Sequence, residues 1–308
     1  MNDLILHHYD GSPFSEKVRL MLGFKGLAWK SVRVPVILPK PDVVALTGGY
    51  RKTPFMQVGA DVYCDTALIA RLLEQRAPQP TLFPASAPLA PLLAQWADST
   101  LFWTVIPYAM QAAGAAHIFQ GVPPEVMKAF AADRAPFTAT MKRQTAVDAA
   151  ANLSVFLAQL DAQLQDGRAH LMGEISVADF AVAHCLWYAR RAGPLARVVD
   201  ERASLAAWLD RMLAIGHGRS EKMSSAEALA VSAAATSHAP TAVTPGLGFE
   251  AGQSVTVTPT DYGVDPVAGT LVGLSADEVV IARTDERAGR VHVHFPRSGF
   301  QIKQEKAA

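Results

Sequence analysis

The stretch "DGSPFSEKVR", residues 10–19, decides the fold. A loop closes at Gly11 and a helix starts at Ser12-Pro13. Serine is a strong helix N-cap, and proline at the first helical position lacks only an N–H that the helix leaves unpaired anyway. Phe14, Val18, Met21 and Leu22 then recur at helical spacing until Gly26. Upstream, "LILHHY" (4–9) is a short apolar run that predicts a buried strand. Downstream, "WKSVRVPV" alternates as a strand does, "RKTPFMQV" and "VYCD" flank Gly59 as two short strands, and "TALIARLLEQRAP" reads as an amphipathic helix closed by Pro78. The order β-α-β then β-β-α, in about 80 residues, fits one small sheet with helices packed on it.

Beyond Pro84 strand signals vanish. "APLLAQWADSTLFWTVIPYAMQAA", "PPEVMKAFAAD", "FTATMKRQTAVDAAANLSVFLAQLDAQLQD", "VADFAVAHCLWYARR" and "RASLAAWLDRMLAIG" predict an all-α domain over 85–223. Residues 224–248, rich in Ala, Ser, Thr, Pro and Gly, predict a linker with some helix at its start. "QSVTVTPT", "GTLVGL", "EVVIART", "RVHVHF" and "FQIKQ" predict five short strands and a small all-β, barrel-like domain over 249–308.

A chain of 308 residues has room for two or three domains. Half its residues are hydrophobic, 18% are charged, and the formal net charge is zero, so no overall basic field recruits nucleic acid or a membrane. The two cysteines, Cys64 and Cys185, lie far apart, which argues against a disulfide framework and for a reducing compartment. No apolar run reaches the ~20 residues of a membrane span, and "MNDLILHHYD" lacks the pattern of a signal peptide. The expected location is cytoplasmic.

Three local signals carry chemistry. Ser12 stands at a helix N-terminus, where unpaired N–H groups and a partial positive charge favour anions. A thiol placed there ionises more easily than at its free pKa of ~8.5, and a serine hydroxyl donates a hydrogen bond to the thiolate. Thr53-Pro54 reads either as an ordinary turn proline or as a cis peptide at a strand start that shows the N–H and C=O of residue 53 to a ligand, and the dipeptide alone does not choose. Asp65 and Thr66 open a helix whose N-terminus is a carboxylate site, while the Asp65 side chain pairs with an amine. Helix capping alone also accounts for Asp65 and Thr66, but an α-amino acid head group carries both charges a few ångströms apart, so this one short stretch suits it.

In this order and spacing the motifs resemble the glutathione transferase superfamily. "SPFSEKVRLML", "RKTPFMQV" and "DTALIARLLE" look like its thioredoxin-like N-terminal domain, and "SVADFAVAH" looks like the capping box of its all-α domain, with Ser176 as cap and Asp179 reaching back. The resemblance covers roughly residues 1–220. It implies an α/β thioredoxin-like domain over 1–84 followed by the all-α domain, glutathione as co-substrate, and a homodimer. It also implies that Ser12 activates the thiol, that Thr53 before cis Pro54 pairs its main chain with the glutathione cysteine, and that Asp65 and Thr66 hold the γ-glutamyl end. Lys40 and Lys52 are candidates for the glycyl carboxylate. Tyr9 and Ser15 are rival activators. Serines at both Ser12 and Ser15 exclude a dithiol cycle at this site.

"LFWTVIPYAM" (101–110) supplies Phe102, Trp103 and Tyr108, which with Phe14 are the candidate apolar pocket for a hydrophobic electrophile. His7 and His8 point to opposite faces of their strand. His292 and His294 share a face, but no Cys or carboxylate at metal spacing accompanies them in sequence, so no metal is expected. The tail carries mixed charges and reads as a cover for the cleft, a dimer contact or a protein-binding module. The function expected is transfer of glutathione to an electrophilic carbon. The rivals are a non-catalytic glutathione-binding or protein-interaction protein, and a glutathione-dependent isomerase or lyase.

Overall fold

The computed structural model describes residues 3–139 and 141–305. The first unit runs β1 (Ile5–His8), α1 (Pro13–Phe24), β2 (Ala28–Arg33), α2 (Pro41–Thr47), β3 (Phe55–Val58), β4 (Asp61–Cys64) and α3 (Thr66–Arg76). β1 pairs parallel with β2 and antiparallel with β3, and β3 pairs antiparallel with β4. This is the expected thioredoxin-like order. Helix α2 is the element not anticipated. It begins at Pro41 and ends at Gly48 in the left-handed conformation (φ 76°), so its signals are those of a short capped helix.

The helical unit comprises α4 (Ala90–Trp96), α5 (Phe102–Ala109), α6 (Ala112–Ile118), α7 (Pro124–Phe137), α8 (Ala146–Leu164), α9 (Val177–Arg190), α10 (Arg197–Asp200) and α11 (Ala203–Ala214). The long helix expected from Ala90 onward is broken into pieces. A π-helical turn at Ala97–Leu101 links α4 to α5, and the chain bends again at Met110 before α6. The capping box is formed: Ser176 N–H donates to Asp179 Oδ2 (2.9 Å), and the other carboxylate oxygen accepts from Leu171 N–H (2.9 Å) and Trp208 Nε1 (3.0 Å). One apolar core runs from β1, α1 and α3 into α4, α5, α8, α9 and α11, so the two units are fused by packing rather than tethered.

The segment after α11 returns to the first unit. β5 (Arg219–Met223) adds parallel to β2 at one edge of the sheet, and α12 (Ser225–Ala234), opened by a Ser224–Glu227 capping box, packs against α2 and β2. The stretch expected as a linker thus holds a docked helix, anchored where Gln57 Nε2 donates to the Ala228 carbonyl (2.8 Å). The tail forms β6 (Ser254–Pro259), β7 (Val267–Leu274), β8 (Glu278–Asp285), β9 (Gly289–Pro296) and β10 (Phe300–Gln304), each overlapping an expected strand. β6 to β9 form an antiparallel meander, and β10 pairs back onto β6 although only residues 297–299 separate it from β9. That connection forces the meander to curl into an open barrel.

The barrel is not a separate body. β9 pairs parallel with β4, giving one ten-stranded sheet in the order β10-β6-β7-β8-β9-β4-β3-β1-β2-β5. Phe55, Val62 and Cys64 share a core with Val257, Ile281 and Phe295. An exposed β4 edge would be a pairing hazard, and the added module covers it.

Candidate active site

The loops at the C-terminal end of β1, before β3 and after β4 converge with α4 and the module on two adjoining cavities. The smaller, about 480 Å³, is lined by Thr53, Pro54, Asp65, Thr66, Lys17 and Asp98, with Asp261 and Tyr262 from the module. The larger, about 1060 Å³, is lined by Tyr9, Ser12, Lys40, Phe102 and Trp103 together with α7 and Tyr188. Phe14, Lys52, Thr53 and Tyr262 line both.

Ser12 caps α1. Its Oγ accepts from Ser15 N–H (3.2 Å) and donates to the Thr53 carbonyl at 3.4 Å, a long and weak bond that a better acceptor would displace. Thr53-Pro54 is cis. Asp65 takes φ 78°, and its Oδ1 accepts from Ala67 N–H (2.8 Å), capping α3. Burial raises the Asp65 pKa, and the Ala67 N–H, Lys52 and Lys17 offset part of that rise. Thr66 Oγ1 accepts from Lys17 Nζ (3.1 Å), so an ammonium stands beside the helix N-terminus.

Lys17 and Asp98 are the polar residues that the sequence reading missed. Lys17 is fully buried and also donates to Asp98 Oδ2 (2.5 Å), whose Oδ1 meets His184 Nε2 (2.9 Å). Burial pushes the Asp98 carboxyl up, but Lys17 and His184 outweigh it and hold it below the usual carboxylate range. His184 is lowered by burial despite Asp98. This chain of polar contacts spans α1, the π-helical turn and α9, and two of its members, Lys17 and Asp98, line the smaller cavity. Asp98 lay inside a run read as continuous helix, and no local signal marked it.

The remaining sequence candidates divide. Tyr9, Phe14, Phe102 and Trp103 line the larger cavity. Tyr108 does not: its hydroxyl donates to the Leu195 carbonyl (3.0 Å) within the core. Ser15 lines neither cavity and is buried, its Oγ without a hydrogen-bond partner. Lys40 lines the larger cavity, where burial and the nearby Arg134 hold its pKa down to about 8. Lys52 is paired with Asp261 (2.5 Å) and lies 4.0 Å over the Tyr262 ring. Cys64 and Cys185 are free, buried thiols raised by burial.

The module seals the rim. Arg71 on α3 pairs with Asp277 (2.7 Å), and Gln95 on α4 donates to Ser298 Oγ (3.1 Å). Tyr262 packs edge-on against Trp103 (5.0 Å) and Phe137 (5.1 Å). Gly263 N–H donates to the Phe137 carbonyl (2.9 Å), so the end of α7 is pinned to the module. No described residue of α7 is buried; that helix is the outer wall of the larger cavity, held also by Arg51–Asp133 (3.0 Å).

A thioredoxin-like unit is thus fused to an all-α unit, with a serine-capped first helix at one cavity and a capped acidic turn at the adjoining one. The family model of the glutathione S-transferase N-terminal domain matches residues 6–81, and that of the C-terminal domain matches residues 144–211. A GST-like protein from Pseudomonas syringae is 41% identical, with 99% of this chain and 100% of that chain covered and a TM-score of 0.82. The chain belongs to the glutathione S-transferase family. The Pseudomonas likeness extends through the β module. Two more distant structures share the fold over about two thirds of this chain. Glutathione S-transferase III in apo form is 22% identical, covering 69% of this chain and 92% of its own, with a TM-score of 0.51. A beta-etherase from Sphingobium sp. strain SYK-6 is 20% identical, covering 68% and 95%, also at 0.51. No curated protein matches the sequence.

Proposed function

We propose that this protein binds glutathione across the two cavities and activates its thiol for attack on an apolar electrophile. The observation that carries this reading is the division of the lining. Asp65 and Thr66 face the smaller cavity, Ser12 faces the larger, and Thr53 faces both. A peptide whose amino-acid head lies at Asp65 and whose backbone passes Thr53 brings its thiol to Ser12.

In this reading the Asp65 carboxylate takes the α-ammonium, while Thr66 and the N–H groups opening α3 take the α-carboxylate beside Lys17. Ser12 turns its hydroxyl from the Thr53 carbonyl to the sulfur. The hydroxyl and the α1 N-terminus then stabilise the thiolate, whose proton has passed to solvent; the sulfur attacks an electrophilic carbon and forms a C–S bond as the bond to that carbon's leaving group breaks and the leaving group departs with its electron pair. Of the two lysine candidates for the glycyl carboxylate, Lys40 is the one left, because Lys52 is engaged by Asp261. Tyr9 is the rival activator at the same cavity. The homodimer implied by the resemblance belongs to this proposal and is tested by mass in solution. No helix among the described residues is long and apolar enough to cross a membrane.

Calorimetry with glutathione and with S-hexylglutathione tests the reading. Both ligands should bind at one site, the hexyl derivative at least tenfold tighter, since each buried methylene contributes about 0.8 kcal/mol. Absence of glutathione binding at millimolar concentration would overturn the proposal.

A further inference from the structure

At the seam between β4 and β9 lies a second polar cluster, whose residues line neither cavity. In the parallel register Asp61 stands opposite His292 and Tyr63 opposite His294, so all four share the seam. The segment after α12 brings His238 over the same spot, its ring stacked on His292 with centroids 3.6 Å apart. Three imidazoles converge on one oxygen. Asp61 Oδ1 lies 3.0 Å from His294 Nε2, 3.7 Å from His238 Nδ1 and 3.9 Å from His292 Nδ1.

These histidines are not equivalent. His294 is used up, with Nδ1 2.7 Å from Glu278 Oε1 and Nε2 on Asp61. His292 is 8% exposed, yet neither of its ring nitrogens has a partner, and His238 Nδ1 is also buried and unpartnered. Buried polar atoms without partners are rare and costly, and an imidazole nitrogen with a free lone pair is a ligand atom. One donor atom from each of Asp61, His238 and His292 lies within 4.8 Å of the others.

We propose that Asp61, His238 and His292 bind a divalent transition cation, Zn²⁺, at this seam. Zinc takes imidazole nitrogen at ~2.0–2.1 Å and carboxylate oxygen at ~2.0–2.2 Å, so tetrahedral donors stand roughly 3.3 Å apart. The two Asp61–His separations exceed that by about half an ångström, and the partly exposed His238 ring, stacked parallel on His292, turns out of the stack to aim its in-plane lone pair at the ion. The carboxylate of the set is already braced. Asp61 Oδ2 accepts from Ala239 N–H (2.9 Å), and His294, braced by Glu278 and stacked on Tyr63, supports Oδ1. Water completes the fourth position from the side of His238, whose side chain is 19% exposed.

The role is structural. None of the three residues lines either cavity. They come from β4, the segment after α12, and β9, three stretches separated by at least 54 residues in the chain, so one ion would staple the module to the thioredoxin-like sheet. The sequence reading expected no metal because the carboxylate comes from a strand far away in the chain.

The test uses the whole chain, stripped with a chelator and titrated with Zn²⁺ by calorimetry, with bound metal counted by elemental analysis. The wild type should take up one equivalent, and its melting temperature should rise with added Zn²⁺. His238→Ala, a substitution in the segment after α12 at a partly exposed side chain, should weaken binding at least tenfold and abolish the thermal shift. Its circular dichroism without metal should match the wild type. His292→Ala should behave likewise. A wild type that fails to bind one equivalent at micromolar Zn²⁺, or a His238→Ala/His292→Ala double variant that binds as the wild type does, would overturn the proposal.

Discussion

The smaller cavity receives the N-terminus of α3, with Asp65, Thr66, Lys17 and Asp98 set among apolar neighbours, whereas the larger takes aromatic and aliphatic side chains from α5, α6 and α7, with Tyr188 of α9, beside Ser12 and Lys40. The first is built on a local device: Asp65 caps the helix it introduces and faces the smaller cavity, while Ser12, which caps α1 in the same way, stands at the larger. The second exists only because α5, α6, α7 and α9 meet, and its outer wall, α7, depends on the module for one of its anchors. A polar site made of caps tolerates little chemical change. An apolar site made of packing tolerates change in shape. The two should therefore fail differently when mutated.

The largest effect is expected at Asp65. Asp65→Asn keeps an acceptor for Ala67 N–H but removes the charge that pairs with an α-ammonium. A hydrogen bond to a charged group contributes about 1.5–3 kcal/mol, so glutathione affinity should fall roughly tenfold to a hundredfold. Binding of a fluorescent apolar dye in the larger cavity should be unchanged; a parallel loss of dye binding would erase the distinction between the cavities.

Gly263→Ala should do the reverse. Gly263 has φ 57°, and a Cβ there would sit 2.5 Å from the Phe137 ring. The strain and the displaced ring together cost about 1–2 kcal/mol. Steady-state kinetics should show KM for an apolar electrophile rising several-fold while KM for glutathione stays within twofold. Equal change in both would mean that the module acts on the protein as a whole.

The smallest effect concerns Lys40. Its pKa is lowered to about 8, so the charged form is disfavoured in the folded state. The sign follows from linkage: the unfolded chain binds more protons between about 8 and the ordinary lysine value near 10.4, so Lys40 adds to stability as pH rises through that window and penalises the fold below it. Its attraction for a carboxylate has the opposite trend, present below pH 8 and fading above. With S-methylglutathione, which has no titrating thiol, wild-type affinity should weaken two- to fivefold between pH 7 and pH 9 relative to Lys40→Met. Identical pH profiles would remove Lys40 from the glycyl end.

The same contrast explains what was legible in the sequence. Capped helices and short strands were visible as Ser12-Pro13, Asp65-Thr66 and Ser176 with Asp179, because each is a contact within a few residues. The five tail strands were visible from turn signals and alternation. Hidden were the contacts of long range: Lys17 with Asp98, Lys52 with Asp261, Tyr262 with Trp103, and β9 with β4. Nothing in "GRVHVHFP" says that its partner strand is Asp61–Cys64, so the module read as a separate domain while it continues the sheet. Tyr108 was misassigned for the same reason, since periodicity in an aromatic run does not say which ring turns to a cavity and which donates to a carbonyl in the core.

The most direct test of the central claim is the ultraviolet thiolate band of bound glutathione, followed against pH in the wild type and in Ser12→Ala. The account predicts a bound thiol ionising well below the free value near 8.5 in the wild type. In Ser12→Ala the pKa should rise by one to two units, which corresponds to about 1.4–2.7 kcal/mol for the lost hydrogen bond. The loss of the cap should cost about 1 kcal/mol of stability in the same variant. A bound thiolate whose pKa is the same in Ser12→Ala as in the wild type would contradict it and transfer the role to Tyr9 or to the helix N-terminus alone.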